Sequence, residues 1–240
     1  MIKKNHHLVP NEIEVLQLIK GKSLGFLEYQ SHYISGDNCI LVTEYLEGYQ
    51  ILTNYVSFFL RMDEAVQVGK TLIGHLEELH ALNIVHRDIK PDNIMIEIGT
   101  LRCKYIDFGF ACHQDKIGTL FTGGSIFYIS LLRESPEIPR TFAFYQAADR
   151  WALASVIYYL LTQRNLFSYL VSCLYRDEKV NGGFVLRNLK NINYDCIFSA
   201  PRFIYFEERY PDLSKTLRTW LVIEQEDSKN QKYLSESLSE

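Results

Sequence analysis

His86-Arg87-Asp88-Ile89-Lys90-Pro91-Asp92-Asn93, with Asp107-Phe108-Gly109 further along, is the stretch that decides how this chain is read. The runs Asn83 to Val85, Ile94 to Ile98 and Leu101 to Ile106 flank it, so its polar groups fall on short connections between strand-like segments. Connections of this kind display side chains from a firm support. The residue types suit phosphoryl transfer: a carboxylate can accept a hydroxyl proton, and an ammonium can lie against the moving phosphoryl group. Asn93 with Asp107 can supply the hard oxygen ligands that magnesium takes.

Bulk properties narrow the alternatives. The 240 residues suffice for one large domain or two small lobes sharing a cleft, and with 47% of them hydrophobic a sizeable core can form. The formal net charge is -4 and no basic block appears, which argues against nucleic acid as the main partner. Cys39, Cys103, Cys112, Cys173 and Cys196 are scattered without CxxC spacing, so neither a disulfide framework nor a zinc site is indicated. Cys112-His113 lacks a second ligand pair and reads as loop sequence. A reducing compartment, intracellular and cytoplasmic, is the expected location. Met1 to Glu14 interleaves polar and apolar residues and has no signal-peptide pattern. The longest apolar run, Trp151 to Leu161, falls short of the roughly 20 residues a membrane span needs and reads as a core helix. Glu224 to Glu240 is a polar tail.

The motifs His86 to Asn93 and Asp107 to Gly109 resemble the catalytic loop and magnesium loop of eukaryotic protein kinases. That resemblance makes Asp88 the base that orients the substrate hydroxyl, Lys90 the stabiliser of the transferred phosphoryl group, and Asn93 and Asp107 the metal ligands. Lysine two places after the aspartate is the serine/threonine kinase pattern. The resemblance therefore implies ATP and Mg2+ as cofactors and a protein substrate; the charge and apolar-run patterns lead us to expect no nucleic acid or membrane partner, and the oligomeric state is left open.

Further matches extend on both sides. Met1-Ile2-Lys3-Lys4 resembles the end of the strand that carries the ATP-anchoring lysine, which would be Lys3; a solvated basic terminus is the alternative. A helix is expected from Pro10 to Ile19, opened by Pro and acidic residues and stopped at Gly21. It resembles kinase helix C, with Glu12 pairing Lys3 and Leu16 one turn later on the same face; Glu14 is the competing glutamate. Phe26 to Tyr33 and Cys39 to Tyr45 alternate around Ser35-Gly36-Asp37-Asn38 and read as a hairpin. The stretch from Leu41 to Gly48 then resembles the kinase hinge, with Thr43 as gatekeeper and the Glu44 carbonyl and Leu46 amide facing adenine. Met95 takes the place of the residue beneath the base.

Asp63 to Leu82 carries Ala65, Val68, Leu72, Leu76 and Leu79 on one helical face and reads as core scaffold; in the resemblance it is the long helix that delivers the chain to the loop. His75 and His80 share no helical face and are not metal ligands. After Asp107 an activation segment runs to about Leu132. In the resemblance Arg87 grips a phosphate on it, at Thr119 or Thr122, and Gly124 to Tyr128 resembles the substrate-residue loop with Ser125 near Asp88. Two departures stand out. Ser130-Leu131-Leu132 replaces the usual Ala-Pro-Glu, Ser135-Pro136-Glu137 being only a loop, and Ser228 stands where the family places the matching arginine. Losing both partners of a buried pair can be nearly neutral, so this reads as compensated. Asp149 to Leu161 resembles helix F, with Asp149 accepting hydrogen bonds from the catalytic-loop backbone and Ala154 where glycine is usual. Beyond Phe167 the match thins, and Tyr169 to Tyr194 and Pro201 to Tyr233 offer helices only.

The expected fold is therefore α+β, a protein kinase-like two-lobe fold with a reduced N-lobe over residues 1–46 and a mainly helical C-lobe over residues 47–240. No Gly-x-Gly-x-x-Gly precedes Lys3, so the phosphate-clamping loop is expected to be missing. The implied function is an ATP-dependent protein serine/threonine kinase. The alternative is a catalytically weak or silent kinase-like module that binds a partner protein.

Overall fold

Helix α1 (Leu8–Ile19) leads through Gly21, whose φ is +67°, to an antiparallel hairpin of β1 (Tyr29–Ser35) and β2 (Asn38–Thr43). β3 (Tyr49–Ile51) and the short α2 (Leu52–Val56) precede the long helix α3 (Met62–Ala81). Four short strands follow: β4 (Ile84–Val85), β5 (Ile94–Glu97), β6 (Cys103–Tyr105) and β7 (Cys112–His113). Helices α4 (Phe142–Thr162), α5 (Asp195–Phe198) and α6 (Pro201–Arg209) come next, and residues 211–221 are helical. The computed structural model describes residues 8–35, 38–56, 60–117, 140–166, 168 and 195–221. Lys3, Gly36-Asp37, Thr119, Thr122, Gly124 to Tyr128, Ser130 to Leu132, Ser135 to Glu137, Tyr169 to Tyr194 and Glu224 to Glu240, with Ser228, lie outside those residues.

Among the described residues the strands form three small antiparallel sheets, β1-β2, β3-β5-β6 and β4-β7. Small sheets held apart by helices make this an α+β fold. Its centre is the contact of α3 with α4. The five apolar positions expected on one face of α3 are all buried, together with Val66, Gly69 and His80. α4 is buried almost all round through Trp151, Leu153, Ala154, Val156, Ile157 and Leu160, as a helix in the middle of a core must be. Gly69 brings the two helices together, since a Cβ there would touch Ile157 at 3.4 Å. No helix among the described residues is long and apolar enough to cross a membrane.

Several expected boundaries move, each for a local reason. α1 begins at Leu8, with no acidic residue in its first turn, and Pro10 lies inside that turn. Proline is tolerated there because the first amides of a helix have no partner within it. β1 begins at Tyr29, because Phe26 pairs instead with Tyr105 in a parallel bridge. Leu27 N–H donates to the Tyr105 carbonyl at 3.0 Å and Tyr105 N–H to that of Gly25 at 2.8 Å. β2 ends at Thr43, where Glu44 N–H turns to the Glu28 carbonyl at 2.9 Å. The alternating pattern of β1 does not become one buried face: residues 30–35 are exposed, Ile34 to 78%. Pairing with β2 therefore sets its register. Cys112-His113, expected as loop, is β7 and pairs with β4. α4 begins not at Asp149 but at Phe142, because the Thr141 hydroxyl accepts Phe144 N–H at 3.1 Å and caps the helix.

The turn after α1 is shaped by a missing side chain. A Cβ on Gly25 would lie 2.1 Å from Cγ of His75, the root of a ring that cannot swing away without leaving α3's face. Gly25→Ala is expected to lower unfolding stability by about 1–3 kcal/mol in urea titration. Gly69→Ala, which meets only ordinary contact, is expected to change it by less than about 1 kcal/mol.

Candidate active site

The catalytic-loop residues hang from α4. Asp149, 1% exposed, accepts His86 N–H on Oδ2 at 2.7 Å and Arg87 N–H on Oδ1 at 2.8 Å. His80 Nε2, at the end of α3, lies 3.1 Å from the same Oδ2. One buried carboxylate thus joins α3, α4 and the loop. These bonds keep Arg87 in left-handed backbone at φ +68°, a conformation that costs a non-glycine residue on the order of 1–3 kcal/mol. Asp149 performs the role expected of it. This use of His80 has no signature in helical periodicity.

Downstream of Arg87 three expected residues converge. Lys90 Nζ donates to Asp88 Oδ2 at 2.9 Å, and Asn93 Nδ2 donates to the same oxygen at 2.8 Å and to the Asp88 carbonyl at 2.9 Å. Asp88 and Asn93 are 6% and 5% exposed. The short 3₁₀ turn Pro91–Asn93 sets this spacing, with Asn93 N–H returning to the Lys90 carbonyl at 3.0 Å. Both amide protons of Asn93 go to Asp88, so its Oδ1 is the atom left for a cation.

Asp107 is linked to this group through the backbone of its neighbour. Ile106 N–H donates to the Asn93 carbonyl at 2.9 Å, so the residue before Asp107 is bonded to Asn93. His86 Nε2 lies 3.3 Å from the Ile106 carbonyl, and its ring packs on Phe108 and Tyr105 with centroids 5.0 and 5.6 Å apart. Asp107 itself takes φ +60°, left-handed backbone two residues beyond β6. Beneath it the strand is dry. Burial pushes the Cys103 thiol up to about 12, and raises the Tyr105 hydroxyl well above its usual range, where it donates to the Leu72 carbonyl at 3.0 Å. Among the described residues no cluster of three or more His, Cys, Asp or Glu could hold a metal. An amide oxygen and one carboxylate instead fit magnesium, which keeps water and substrate oxygens in the rest of its shell.

The other expected site residues sit on α1, after β2, on β5 and in the loop after β4. Glu12 is 2% exposed on α1, whereas Glu14 is exposed and ion-paired with Lys116. The competing glutamate is therefore a surface residue, and Glu12 alone faces inward. Glu44 takes two backbone-directed tasks: its N–H donates to Glu28, and its carboxylate accepts Glu28 N–H at 2.7 Å and Lys104 Nζ at 2.6 Å. The ion pair fastens the segment after β2 to β6, three residues before Asp107, and went unnoticed in the sequence. Thr43 Oγ1 donates to the Glu44 carbonyl at 3.3 Å, and the Leu46 carbonyl accepts Tyr49 N–H at 3.3 Å. Met95 is half-buried on β5, across from Ile51 and Lys104. Arg87 is 6% exposed, with its guanidinium 4.8 Å from the Tyr145 ring centre and Nη1 3.4 Å from the Phe110 carbonyl.

Residues 1–209 match the family described as the protein kinase domain. A probable myosin light chain kinase of Dictyostelium discoideum is 28% identical over 156 residues, covering 64% of this chain and 31% of that protein. A death-associated protein kinase of Caenorhabditis elegans is 31% identical over 164 residues, covering 64% of this chain and 11% of that protein. The serine/threonine-protein kinase TIO of Arabidopsis thaliana is 28% identical over 161 residues, covering 65% and 11%. The chain thus spans less than a third of the length of each of these relatives.

Asp149→Asn would turn an amide N–H toward backbone donors that now meet a carboxylate. Because both groups are buried, a loss of about 3 kcal/mol is expected from urea unfolding. A loss below about 1 kcal/mol would mean that the loop is held by something else.

Proposed function

The chain belongs to the protein kinase family, and we propose that it transfers the γ-phosphate of ATP to serine or threonine hydroxyls of protein substrates. The observation that carries this reading is the grip of Lys90 Nζ and Asn93 Nδ2 on one oxygen of Asp88. It orients a carboxylate, at the loop's buried turn, as a base. Lysine at position 90 supports the serine/threonine class, and relatives such as the Arabidopsis thaliana protein carry the name serine/threonine-protein kinase. The same reading divides the chain at the hinge into an N-lobe, residues 1–46, and a C-lobe, residues 47–240.

Asp88 accepts the proton of the substrate hydroxyl as that oxygen bonds to the γ-phosphorus and the bond to the ADP oxygen breaks. Lys90, 2.9 Å from Asp88, offers its positive charge to the phosphoryl group in transit. Asn93 and Asp107 are the residues that would hold magnesium, which when bound neutralises charge on the phosphate oxygens. Lys3 with Glu12 would anchor the phosphates, the backbone of Glu44 and Leu46 would receive adenine, and Met95 would lie beneath the base.

A second reading is a silent module that binds a partner protein. One experiment separates the two. Radiolabelled phosphate transfer to a generic basic protein should require magnesium and fall about 10²- to 10⁴-fold in Asp88→Asn. Asp107→Asn should abolish the ATP-and-magnesium thermal shift that the parent protein shows. A parent protein that neither transfers phosphate nor shifts with ATP and magnesium would discard the kinase reading.

A further inference from the structure

Asn11 precedes the buried Glu12 on α1 and is bonded far from its own helix. Its side-chain Nδ2 donates to the Gly109 carbonyl at 3.0 Å and to the Ala111 carbonyl at 2.8 Å. Arg87 Nη1 meets the carbonyl between them, on Phe110, at 3.4 Å. Three successive carbonyls after Asp107 therefore point at side-chain donors, two of them served by one amide. Within the turn itself, Ala111 N–H donates to the Phe108 carbonyl at 3.0 Å. A segment that leaves Asp107 at φ +60° has its next carbonyls fixed by α1 on one side and by the catalytic loop on the other.

We infer that Asn11 is a positioning residue for the reaction: by clasping the Gly109 and Ala111 carbonyls it sets the direction of the Asp107 carboxylate, and it makes the seating of α1 and the shape of the magnesium loop one event. Asn11 touches no reacting atom. It acts through two backbone oxygens that lie two and four residues beyond Asp107. The clasp suits a carboxamide in particular, because a single –NH2 carries the two protons that two carbonyls need. An aspartate in its place would turn acceptors toward acceptors. The exposed Glu14–Lys116 pair joins the same two elements nearer the surface, where water and salt weaken it. The half-buried amide is thus the better-defined link.

This inference rests on the kinase reading for its activity readout, so the test carries a second readout that does not. In Asn11→Ala, and more severely in Asn11→Asp, turnover should fall by about tenfold or more. The magnesium concentration giving half-maximal velocity should rise several-fold, roughly as a loosened ligand would demand. Gln17→Ala, on the exposed side of the same helix, should leave both unchanged. In parallel, hydrogen exchange of the Ala111 amide should quicken about tenfold or more in Asn11→Ala, whether or not the protein transfers phosphate. If the parent chain is inactive yet Ala111 exchange quickens, the kinase reading fails and the clasp stands. If Ala111 exchange and the magnesium requirement both match the parent protein, the inference is overturned. A loss of turnover with an unchanged magnesium requirement overturns it as well, since that would be a general structural effect.

Discussion

The arrangement of the site depends on one carboxylate that water hardly reaches. Asp149 sits in the body of α4, a helix otherwise surrounded by apolar side chains, and it is stabilised there only because three donors meet it: two backbone amides of the catalytic loop and the ring of His80. A charge so placed is costly without partners and firm with them. It follows that the loop is fixed to the hydrophobic centre, while Asp88, Lys90 and Asn93, the residues read as catalytic, branch off the fixed part. Rigidity comes from the core, a few positions away from the residues read as reactive.

A second set of links spreads that order outward. Ile106 N–H on the Asn93 carbonyl joins the catalytic loop to the strand before Asp107, and the Glu44–Lys104 pair joins that strand to the segment after β2. The path from the segment read as the adenine-binding hinge to the residue read as a metal ligand is therefore short and made of hydrogen bonds. Local turns cooperate with it. Arg87 and Asp107 both adopt left-handed backbone, and each is adjacent to a residue tied down by a long-range bond or, for Arg87, is itself tied down.

Much of this was legible in the sequence because it is written locally. Helical spacing located α3 and its five buried apolar residues, and turn chemistry with alternation located the β1-β2 hairpin. The run from His86 to Asn93 announced a constellation whose members are close in sequence, so Lys90 and Asn93 meeting on Asp88 needed no long-range information. What was hidden involves partners far apart in the chain and chosen by shape. His80 looks like any residue at the end of an amphipathic helix until Asp149 is placed beside it. Phe26 looks like the start of a strand until Tyr105 takes it away. Asp149 was rightly expected to serve the loop, yet its place in the helix was misjudged, because the capping threonine at position 141 is a one-residue signal inside a stretch read mainly for its motif. Between Glu12 and Glu14 the sequence offered a preference, and burial separates them: one is enclosed and the other meets Lys116 in solvent.

The enclosure of Asp149 also divides the protein's ion pairs into two populations with different environments. Counterions gather around charges they can approach, and at high ionic strength they quench pairs on the periphery such as Glu14 with Lys116 and Arg61 with Glu64. They cannot enter the space between α3 and α4. Brine should therefore loosen the outer lacing of the molecule while leaving the suspension of its catalytic loop intact.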